Sequence, residues 1–373
     1  MGKINTGHFL MGCGAPTMLR LLRDNAGTIA PDKRAQTALM AATSVALAPA
    51  AALEKAVFAR RIRASRPEKD PIFVLGHWRS GTTYLQNMLS RDPQFGWFDP
   101  VSTVVFPYRL LLGWALTSAV KKGIAGGRPM DNVQYSLDLP MEETFALLTQ
   151  TPHDIIHMMA FPAHFQDYLS GAFVADLPEK ERREWMRRYD YIIRKQTYVQ
   201  GGRQLILKSP DNTCRVPELR ELYPEARFIN IHRDPYRTIR SFVHMFSTQV
   251  DILHLSVIPE NFDVLLEDTI VELFRRMYSE LFAQIPSLPE NRFADVAYAD
   301  FCREPVETLR RIYDRLELDG FAAAESRFRA FAAEQKDYRK NRLELSPRLI
   351  RKINDRLGFY FDYYGYDRME AGE

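Results

Sequence analysis

The feature that most constrains this chain is a glycine-bounded loop that directly follows a short apolar segment. Residues 71–75 (Pro-Ile-Phe-Val-Leu) are apolar and rich in strand formers, so we expect a short, fully buried strand there. Residues 76–83 follow with the sequence Gly-His-Trp-Arg-Ser-Gly-Thr-Thr, and a helix is predicted over 81–90. In a loop of this kind, successive backbone N–H groups point at one position at the N-terminus of the following helix. An anion can bind there.

The two glycines of this loop have Walker A spacing, but the residues between and after them differ from that motif. Gly76 and Gly81 fit G-x-x-x-x-G, which in a Walker A loop continues with Lys and then Ser or Thr. Thr82 stands at the lysine position, and the basic residue is Arg79. The loop can therefore hold a phosphate but lacks the lysine that contacts the terminal phosphates of ATP. A glycine-rich turn without a ligand is the simpler alternative, and it does not explain so many anion-binding groups.

Further apolar segments predict a parallel sheet. Strands are predicted over residues 205–207, 227–232 and 293–298, and helices over 235–249 and 304–317. Strands that alternate with helices favour a parallel sheet with helices on both faces, and such sheets bind ligands at the carboxyl ends of their strands. Residues 100–200 and 250–285 have mainly helical patterns and would form a cap. We therefore predict an α/β fold, a P-loop-like three-layer α/β/α arrangement with a central parallel sheet and a largely helical cap.

The loop resembles the 5′-phosphosulfate loop of the sulfotransferases. The matching residues are Gly76, Arg79, Ser80, Gly81, Thr82, Thr83 and Leu85. In that family Lys or Arg stands at the position of Arg79, and the donor is PAPS (3′-phosphoadenosine 5′-phosphosulfate), which leaves PAP as product. The resemblance implies that Arg79 and the loop amides, with Ser80, Gly81, Thr82 and Thr83, hold the 5′-phosphosulfate.

A second motif fits the 3′-phosphate of the same donor. Arg233 ends a predicted strand and Ser241 lies on the next helix, which resembles the 3′-phosphate motif of the family. An arginine gives two parallel charge-assisted bonds to a phosphate. Alone, the Arg-Asp-Pro sequence is common and equally fits a capped turn. Together with the loop about 150 residues earlier, it supports a PAPS site.

Other segments extend the resemblance from residue 71 to about 317. Lys208-Ser-Pro ends the second predicted strand, and Tyr298-x-Asp-Phe resembles a late strand-to-helix signature of the family. The bacterial branch with a Pro-x-Glu-Asp-Glu cap motif is similar at residues 140–144, where the last two acidic positions are changed to Glu and Thr. The basic segment 336–341, with Arg339, is a weaker candidate for the adenosine 3′-phosphate end.

Sulfuryl transfer needs a base for the acceptor hydroxyl and cations for the leaving group. Glu142 is the predicted base and Glu143 the second choice. We also expect a helix to begin near Asp138, which would place Glu142 in its first turn. The alternative is therefore that Glu142 only stabilises the N-terminus of this helix. Lys208 and Arg79 are predicted to neutralise the developing charge. Rival bases are the histidines His77, His232, His153, His157 and His164, of which the last three favour a structural role. The sequence has no metal-ligand motif, and we expect no metal.

The acceptor is predicted to be small and lipophilic. The cap segment is rich in aromatic and apolar residues, including Trp97, Phe106 and Met158, which fits a sterol, a bile acid, a quinol side chain or a lipid alcohol. A glycan or glycolipid O-sulfotransferase is the alternative. A P-loop nucleotide kinase and an inactive PAP-binding module remain further alternatives.

Charge and cysteine content bound the partners and the compartment. The 50 Lys and Arg nearly balance the 47 Asp and Glu, giving a net charge of +3, so we expect no nucleic-acid partner bound by bulk charge. Only three cysteines are present, too few for a disulfide framework. A cytoplasmic location is predicted; membrane association and oligomeric state stay open.

The N-terminal segment 1–66 is predicted to be helical and separate from a single sulfotransferase domain over 67–373. Residues 35–53 carry no charge, and Pro49 predicts two helices meeting there. These helices would pack on the protein or on a membrane surface. Arg60, Arg61 and Arg63 follow directly, as they would beside anionic lipid.

Overall fold

A five-stranded, all-parallel sheet forms the centre of the computed structural model, which describes residues 5, 7–124, 136–335 and 344–371. Its strand order is β2-β3-β1-β4-β5. The strands are β1 Ile72–Leu75, β2 Phe95–Gly96, β3 Gln204–Leu207, β4 Arg227–His232 and β5 Phe293–Ala297. The four predicted strands are all present. The strand β2 was not predicted, because two residues are too few to show a strand pattern.

Helices surround the sheet and form the cap. They are α1 Ala15–Asp24, α2 Arg34–Ala64, α3 Thr82–Leu89, α4 Pro100–Val104, α5 Arg109–Ile124, α6 Thr144–Leu147, α7 His157–Ala160, α8 Glu179–Val199, α9 Val216–Leu222, α10 Pro235–Leu253, α11 Phe262–Gln284, α12 Tyr298–Arg303, α13 Pro305–Arg315, α14 Phe321–Glu334, α15 Pro347–Arg356 and α16 Gly358–Tyr364. Short 3-10 helices connect several of them, among them Pro162–Gly171 and Pro210–Cys214.

The two faces of the sheet lie in two hydrophobic cores. Successive side chains of a strand point to opposite faces, and all four residues of β1 are fully buried. Ile72 and Val74 pack in the core formed with α3, α13 and α14, whereas Phe73 and Leu75 pack in the larger core beneath the cap. The sheet is therefore the middle layer of three, as the sequence predicts.

Strand order decides which loops meet at the carboxyl edge of the sheet. β1 pairs with β3 on one side and with β4 on the other, both in parallel. The loop after β1 consequently lies between the residues that follow β3 and those that follow β4. The predicted site residues Arg79, Lys208 and Arg233 lie in these three places.

The N-terminal segment differs from the prediction of two helices meeting near Pro49. The structure has one 31-residue helix, α2, with Pro49 inside it. A proline removes one backbone donor, here the one that would bond the carbonyl of residue 45. Val45 and Pro49 are both exposed, so the residue whose carbonyl is freed lies on the outer side of the helix and not in the protein core. The division of the chain near residue 66 remains a prediction.

A buried ion pair fastens α2 to the cap. Glu54 and Lys195 of α8 are paired and buried. The second carboxylate oxygen of Glu54 accepts the backbone N–H groups of Leu110 and Leu111, at 2.6 and 2.9 Å, and so caps the N-terminus of α5. Burial lowers the pKa of Lys195 to about 8, with Glu54 opposing the shift. One carboxylate thus joins three helices.

We predict that Glu54→Ala lowers the free energy of unfolding by about 3–5 kcal/mol, because it leaves the buried Lys195 without its partner. The measurement is urea denaturation at pH 7. The double variant Glu54→Leu with Lys195→Met removes both charges and should lose less, mainly the helix cap, worth about 1 kcal/mol. Glu179→Ala, which breaks an exposed pair with Arg183, is the control. A Glu54→Ala protein as stable as this control would contradict the assignment.

Candidate active site

Two glycines shape the loop after β1. Gly76 has a φ of +127°, and a Cβ added there would lie 2.4 Å from the carbonyl oxygen of Ile231. Gly81 has a φ of +109°, and its Cβ would lie 2.3 Å from the ring of Tyr298. The backbone N–H of Gly76 donates to Thr213 Oγ1 at 2.8 Å. Both positions require glycine for conformation and for space.

Arg79 joins the loop to the second predicted anion site. It has a φ of +71°, a left-handed conformation that costs a non-glycine residue of the order of 1 kcal/mol. Its Nε donates to Ser241 Oγ at 3.0 Å, and Arg233 Nη1 donates to the Arg79 carbonyl at 2.9 Å. The Arg233 guanidinium lies 4.5 Å from the ring centre of Tyr298, and burial lowers its pKa. The structure therefore brings Arg79, Arg233 and Ser241 together.

The rest of the loop offers groups suited to an anion. Ser80 is fully buried, and its Oγ has no hydrogen-bond partner among the described residues. A buried hydroxyl without a partner is costly unless a ligand supplies one. Thr82 and Thr83 begin α3, whose N-terminal N–H groups favour negative charge. These residues fit the phosphosulfate end of PAPS.

A lysine and a carboxylate meet beside this loop. Lys208, which follows β3, donates from Nζ to Glu142 and, at 3.3 Å, to Thr83 Oγ1. The side chain of Lys208 is 3% exposed and that of Glu142 is 17% exposed. The carboxylate can therefore still be reached from outside.

The segment that carries Glu142 is not the predicted helix start. The helix begins at Thr144 instead of near Asp138, and Glu142 lies in the stretch just before it. The reason is a tertiary contact: the N–H of Met141 donates to the Phe98 carbonyl at 2.8 Å and forms an antiparallel bridge. This bridge holds the chain extended next to Glu142. In the first turn of a helix, the same stretch would be helical instead.

Glu143 faces the interior instead. It is fully buried, and its carboxylate accepts the backbone N–H of Lys208 at 2.9 Å, the hydroxyl of Tyr189 at 3.0 Å and the amide of Asn212. Desolvation raises its pKa. These contacts fix the backbone that carries Lys208 and leave Glu143 without access to a substrate.

A second buried network lies behind Glu142. Thr144 Oγ1 donates to Asp154 Oδ2 at 2.7 Å, and Asp211 forms a fully buried ion pair with Arg215 at 2.8 Å. Desolvation raises the pKa values of both aspartates. These residues were not among the predicted site residues. The available signal was the mainly polar run 208–215, which follows an apolar strand and contains both Asp211 and Arg215.

Of the two rival histidines near the cations, His77 is part of the loop and lies inside the core, whereas His232 is half-buried at the end of β4. His77 is fully buried, its Nδ1 lies 2.8 Å from the Trp78 carbonyl oxygen, and burial lowers its pKa to about 4. His232 stacks on Tyr364 with 3.7 Å between ring centres, and burial lowers its pKa to about 4 as well. A base of such low pKa, enclosed by aromatic rings, is poorly suited to take a proton from an alcohol.

The three cap histidines have other partners. His153 lies 3.0 Å from Glu181, His157 is buried with Nε2 3.2 Å from the Thr151 carbonyl oxygen, and His164 lies 3.4 Å from Asp167. None of these contacts involves Glu142 or Lys208. The remaining predicted residue, Arg339, lies outside the described residues.

A narrow, buried apolar crevice lies beside the loop. Its lining includes Trp78 of the loop, Phe242 of α10, Met158 and Met159 of α7, and Leu273 of α11. Trp78 and Phe242 stack with 5.1 Å between ring centres. Trp78 directly precedes Arg79, and Phe242 directly follows Ser241, so apolar surface adjoins the cluster of cations.

Comparisons with known proteins agree with this arrangement. Two curated relatives, omega-hydroxy-beta-dihydromenaquinone-9 sulfotransferase Stf3 of Mycobacterium bovis and that of Mycobacterium tuberculosis, are each 29% identical over 362 residues, which cover 96% of this chain and 91% of the relative. The crystal structure of sulfotransferase STF1 from Mycobacterium tuberculosis H37Rv has a TM-score of 0.63 at 19% identity, covering 83% of this chain and 84% of that one.

Sulfotransferase STF9 from Mycobacterium avium also has a TM-score of 0.63, at 17% identity, covering 97% of this chain and 98% of that one. These likenesses confirm the predicted P-loop-like α/β fold. The model of the sulfotransferase family matches residues 71–323, more than half of the chain and close to the span of the motifs. The chain therefore belongs to the sulfotransferase family and is a sulfotransferase enzyme.

Proposed function

We propose that this enzyme transfers a sulfuryl group from PAPS to the hydroxyl of a small lipophilic acceptor, with Glu142 as the base. The observation that carries the proposal is the position of Lys208, which bonds Glu142 and Thr83 at the same time. One cation thus connects a reachable carboxylate to the N-terminus of the helix that follows the loop.

The donor would be held at its two anionic ends. The loop amides, Arg79 and the unpartnered hydroxyl of Ser80 suit the 5′-phosphosulfate, and Arg233 with Ser241 suits the 3′-phosphate. Tyr298 supports this second group, because its ring lies against the Arg233 guanidinium. Arg339 remains a weaker candidate for the same end.

Bound PAPS supplies a sulfuryl group whose transfer has a loose transition state, by analogy with phosphoryl transfer, so that positioning and charge stabilisation dominate. Glu142 accepts the proton of the acceptor hydroxyl while the hydroxyl oxygen bonds to sulfur and the bond from sulfur to the leaving phosphate oxygen breaks. Lys208 and Arg79 stabilise the negative charge that develops on the leaving phosphate oxygen and on the sulfonate. The ion pair with Lys208 orients Glu142 before the acceptor arrives. No metal is assigned to any of these steps.

The apolar crevice supports a lipophilic acceptor. It begins at Trp78, next to Arg79, and shares Thr269 and Leu273 with a surface groove. The Stf3 relatives are named for a hydroxylated dihydromenaquinone, and we place the acceptor of this chain in the same class, a hydroxylated quinone lipid. We also propose a cytoplasmic location, with peripheral membrane contact through the N-terminal helices.

We predict that Lys208→Ala abolishes turnover while PAP binding stays within about 3-fold, because the lysine acts mainly on charge that develops during transfer. Turnover is measured with ³⁵S-PAPS and PAP binding by calorimetry. Lys180→Ala, at an exposed position of α8, is the matched control. A Lys208→Ala enzyme with a near-normal kcat would contradict the assignment.

Glu142→Gln should lower kcat by about 100-fold or more, the usual effect of removing a general base. Glu143→Gln should act differently: it disturbs a buried network, so we expect a loss of thermal stability together with any loss of rate. Steady-state kinetics and a melting curve of each variant separate the two roles. Normal kcat in Glu142→Gln with a large loss in a fully folded Glu143→Gln would exchange their assignments.

The acceptor is tested by incubating the enzyme with ³⁵S-PAPS and separate pools of quinone lipids, sterols and glycolipids, with and without EDTA. We expect label in the quinone-lipid pool, and equal transfer in EDTA. Label in glycolipids alone would favour the alternative acceptor class. PAP binding without transfer to any pool would indicate an inactive module, and Mg²⁺-dependent ATP binding would indicate a kinase.

A further inference from the structure

We infer that the outer face of α2 is a docking surface for an anionic lipid bilayer, on which the helix lies flat. The inference deepens the membrane contact proposed above. It assigns the contact to one face of one helix and to one class of lipid. It does not depend on which hydroxyl the enzyme sulfates.

The polarity of α2 is inverted for a helix on a protein surface. Its exposed positions between residues 35 and 57 recur at helical spacing and, apart from Lys55, are all apolar: Ala35, Ala38, Leu39, Ala42, Val45, Ala46, Pro49, Ala52, Leu53, Ala56 and Val57. Its buried positions, by contrast, include Gln36, Thr37, Ser44 and Glu54. A surface helix normally turns its apolar side inward and its polar side to water.

The exposed apolar stripe is long and carries large side chains. Leu39 is 38% exposed, Val45 51%, Leu53 56% and Val57 53%. Residues 35–57 of a helix extend for about 33 Å at 1.5 Å per residue. A continuous apolar strip of that length on a water-facing surface indicates a binding surface.

A neighbouring tryptophan adds an interfacial group. Trp114 of α5 is 81% exposed, and α5 shares a hydrophobic cluster with α2 that includes Leu47, Ala50 and Leu112. The indole N–H donates to the Leu111 carbonyl at 3.0 Å, which leaves the apolar part of the ring outward. Tryptophan is enriched where protein meets the headgroup region of a bilayer.

Positive charge borders the stripe. Arg34 lies at its start, Lys55 beside it and Arg60, Arg61 and Arg63 at its end, all of them exposed. The only acidic residue of α2, Glu54, is buried and paired with Lys195. An apolar strip bordered by cations matches a bilayer that contains anionic lipid.

The helix is suited to lie on a membrane, not to span it. Among the described residues, Pro31–Ala64 is long and apolar enough to cross a bilayer. Crossing would require α2 to leave the cap, which would carry Glu54 into hydrocarbon and leave Lys195 buried without its partner. Both changes are costly. The buried pair therefore keeps the polar side of the helix on the protein.

Charge also argues against a second copy of this chain on the same face. Two α2 helices packed antiparallel would place Arg60 and Arg61 of each copy near Arg34 of the other. Packed in parallel, they would place the three-arginine ends of both copies together. Either arrangement brings like charges together, whereas an anionic bilayer neutralises them.

The test is co-sedimentation of the full-length enzyme with vesicles of phosphatidylcholine alone or with about 30% phosphatidylglycerol. We expect binding to the anionic vesicles that weakens at high salt. Leu39→Glu with Leu53→Glu should weaken this binding by about 100-fold or more, because two large side chains no longer enter the bilayer. Met369→Glu, at a residue that is 45% exposed near the C-terminus, is the matched control and should bind like the wild type.

Two further readouts separate the possible outcomes. Vesicles should shift the fluorescence of the wild type to the blue, and this shift should be largely lost in Trp114→Phe. Sulfate transfer to a detergent-dispersed acceptor should be unchanged in the Leu39→Glu, Leu53→Glu variant, which keeps the docking question apart from the proposed reaction. Equal binding to neutral vesicles, no vesicle binding, or a wild-type dimer that this variant makes monomeric would overturn the inference.

Discussion

The parallel pairing of β3, β1 and β4 is the constraint on which the rest of the site depends. Parallel strands bring their carboxyl ends to one edge, so the residues after each strand must share that edge. Arg79, Lys208 and Arg233 come from points up to 154 residues apart and meet there only because β1 is the central strand of the three. The chain has a net charge of only +3, yet this edge concentrates three cations around one loop.

Buried polar groups of the core contact the residues that carry the charged site. Glu143 accepts the backbone N–H of Lys208, and Thr144 Oγ1 donates at 3.4 Å to Asp211 of the buried Asp211–Arg215 pair. Buried charges of this kind are costly unless each is paired. Here the buried groups contact the backbone of Lys208 and the side chain of Thr144, two residues after Glu142, and such support suits a reaction governed by positioning. The adjacent crevice is apolar, which suits the lipophilic acceptor proposed above.

A buried ion pair also holds the N-terminal helix α2 in place. Glu54 and Lys195 lie inside the protein while the apolar residues of α2 face outward. The buried ion pair and the cap on α5 hold this helix on the protein with its polar side inward and its apolar side exposed. That arrangement leaves an exposed hydrophobic strip on an enzyme for which a lipid acceptor is proposed. Attachment through this strip would bring the proposed lipid acceptor, which lies in the same membrane, close to the enzyme.

The sequence alone determined the central sheet, the glycine-bounded loop and the cations after the strands, because buried strands and glycine turns are local patterns. It also placed Glu142 and Lys208 as candidates, through residue types carried by the family resemblance. Only the tertiary structure decided which of two adjacent glutamates faces outward, since a contact between Met141 and Phe98, 43 positions apart, holds that stretch extended. The two-residue strand β2 and the continuation of α2 through Pro49 were likewise beyond local pattern. The strand depends on its distant partner β3, and at Pro49 the residue whose carbonyl is freed lies on the exposed side of the helix.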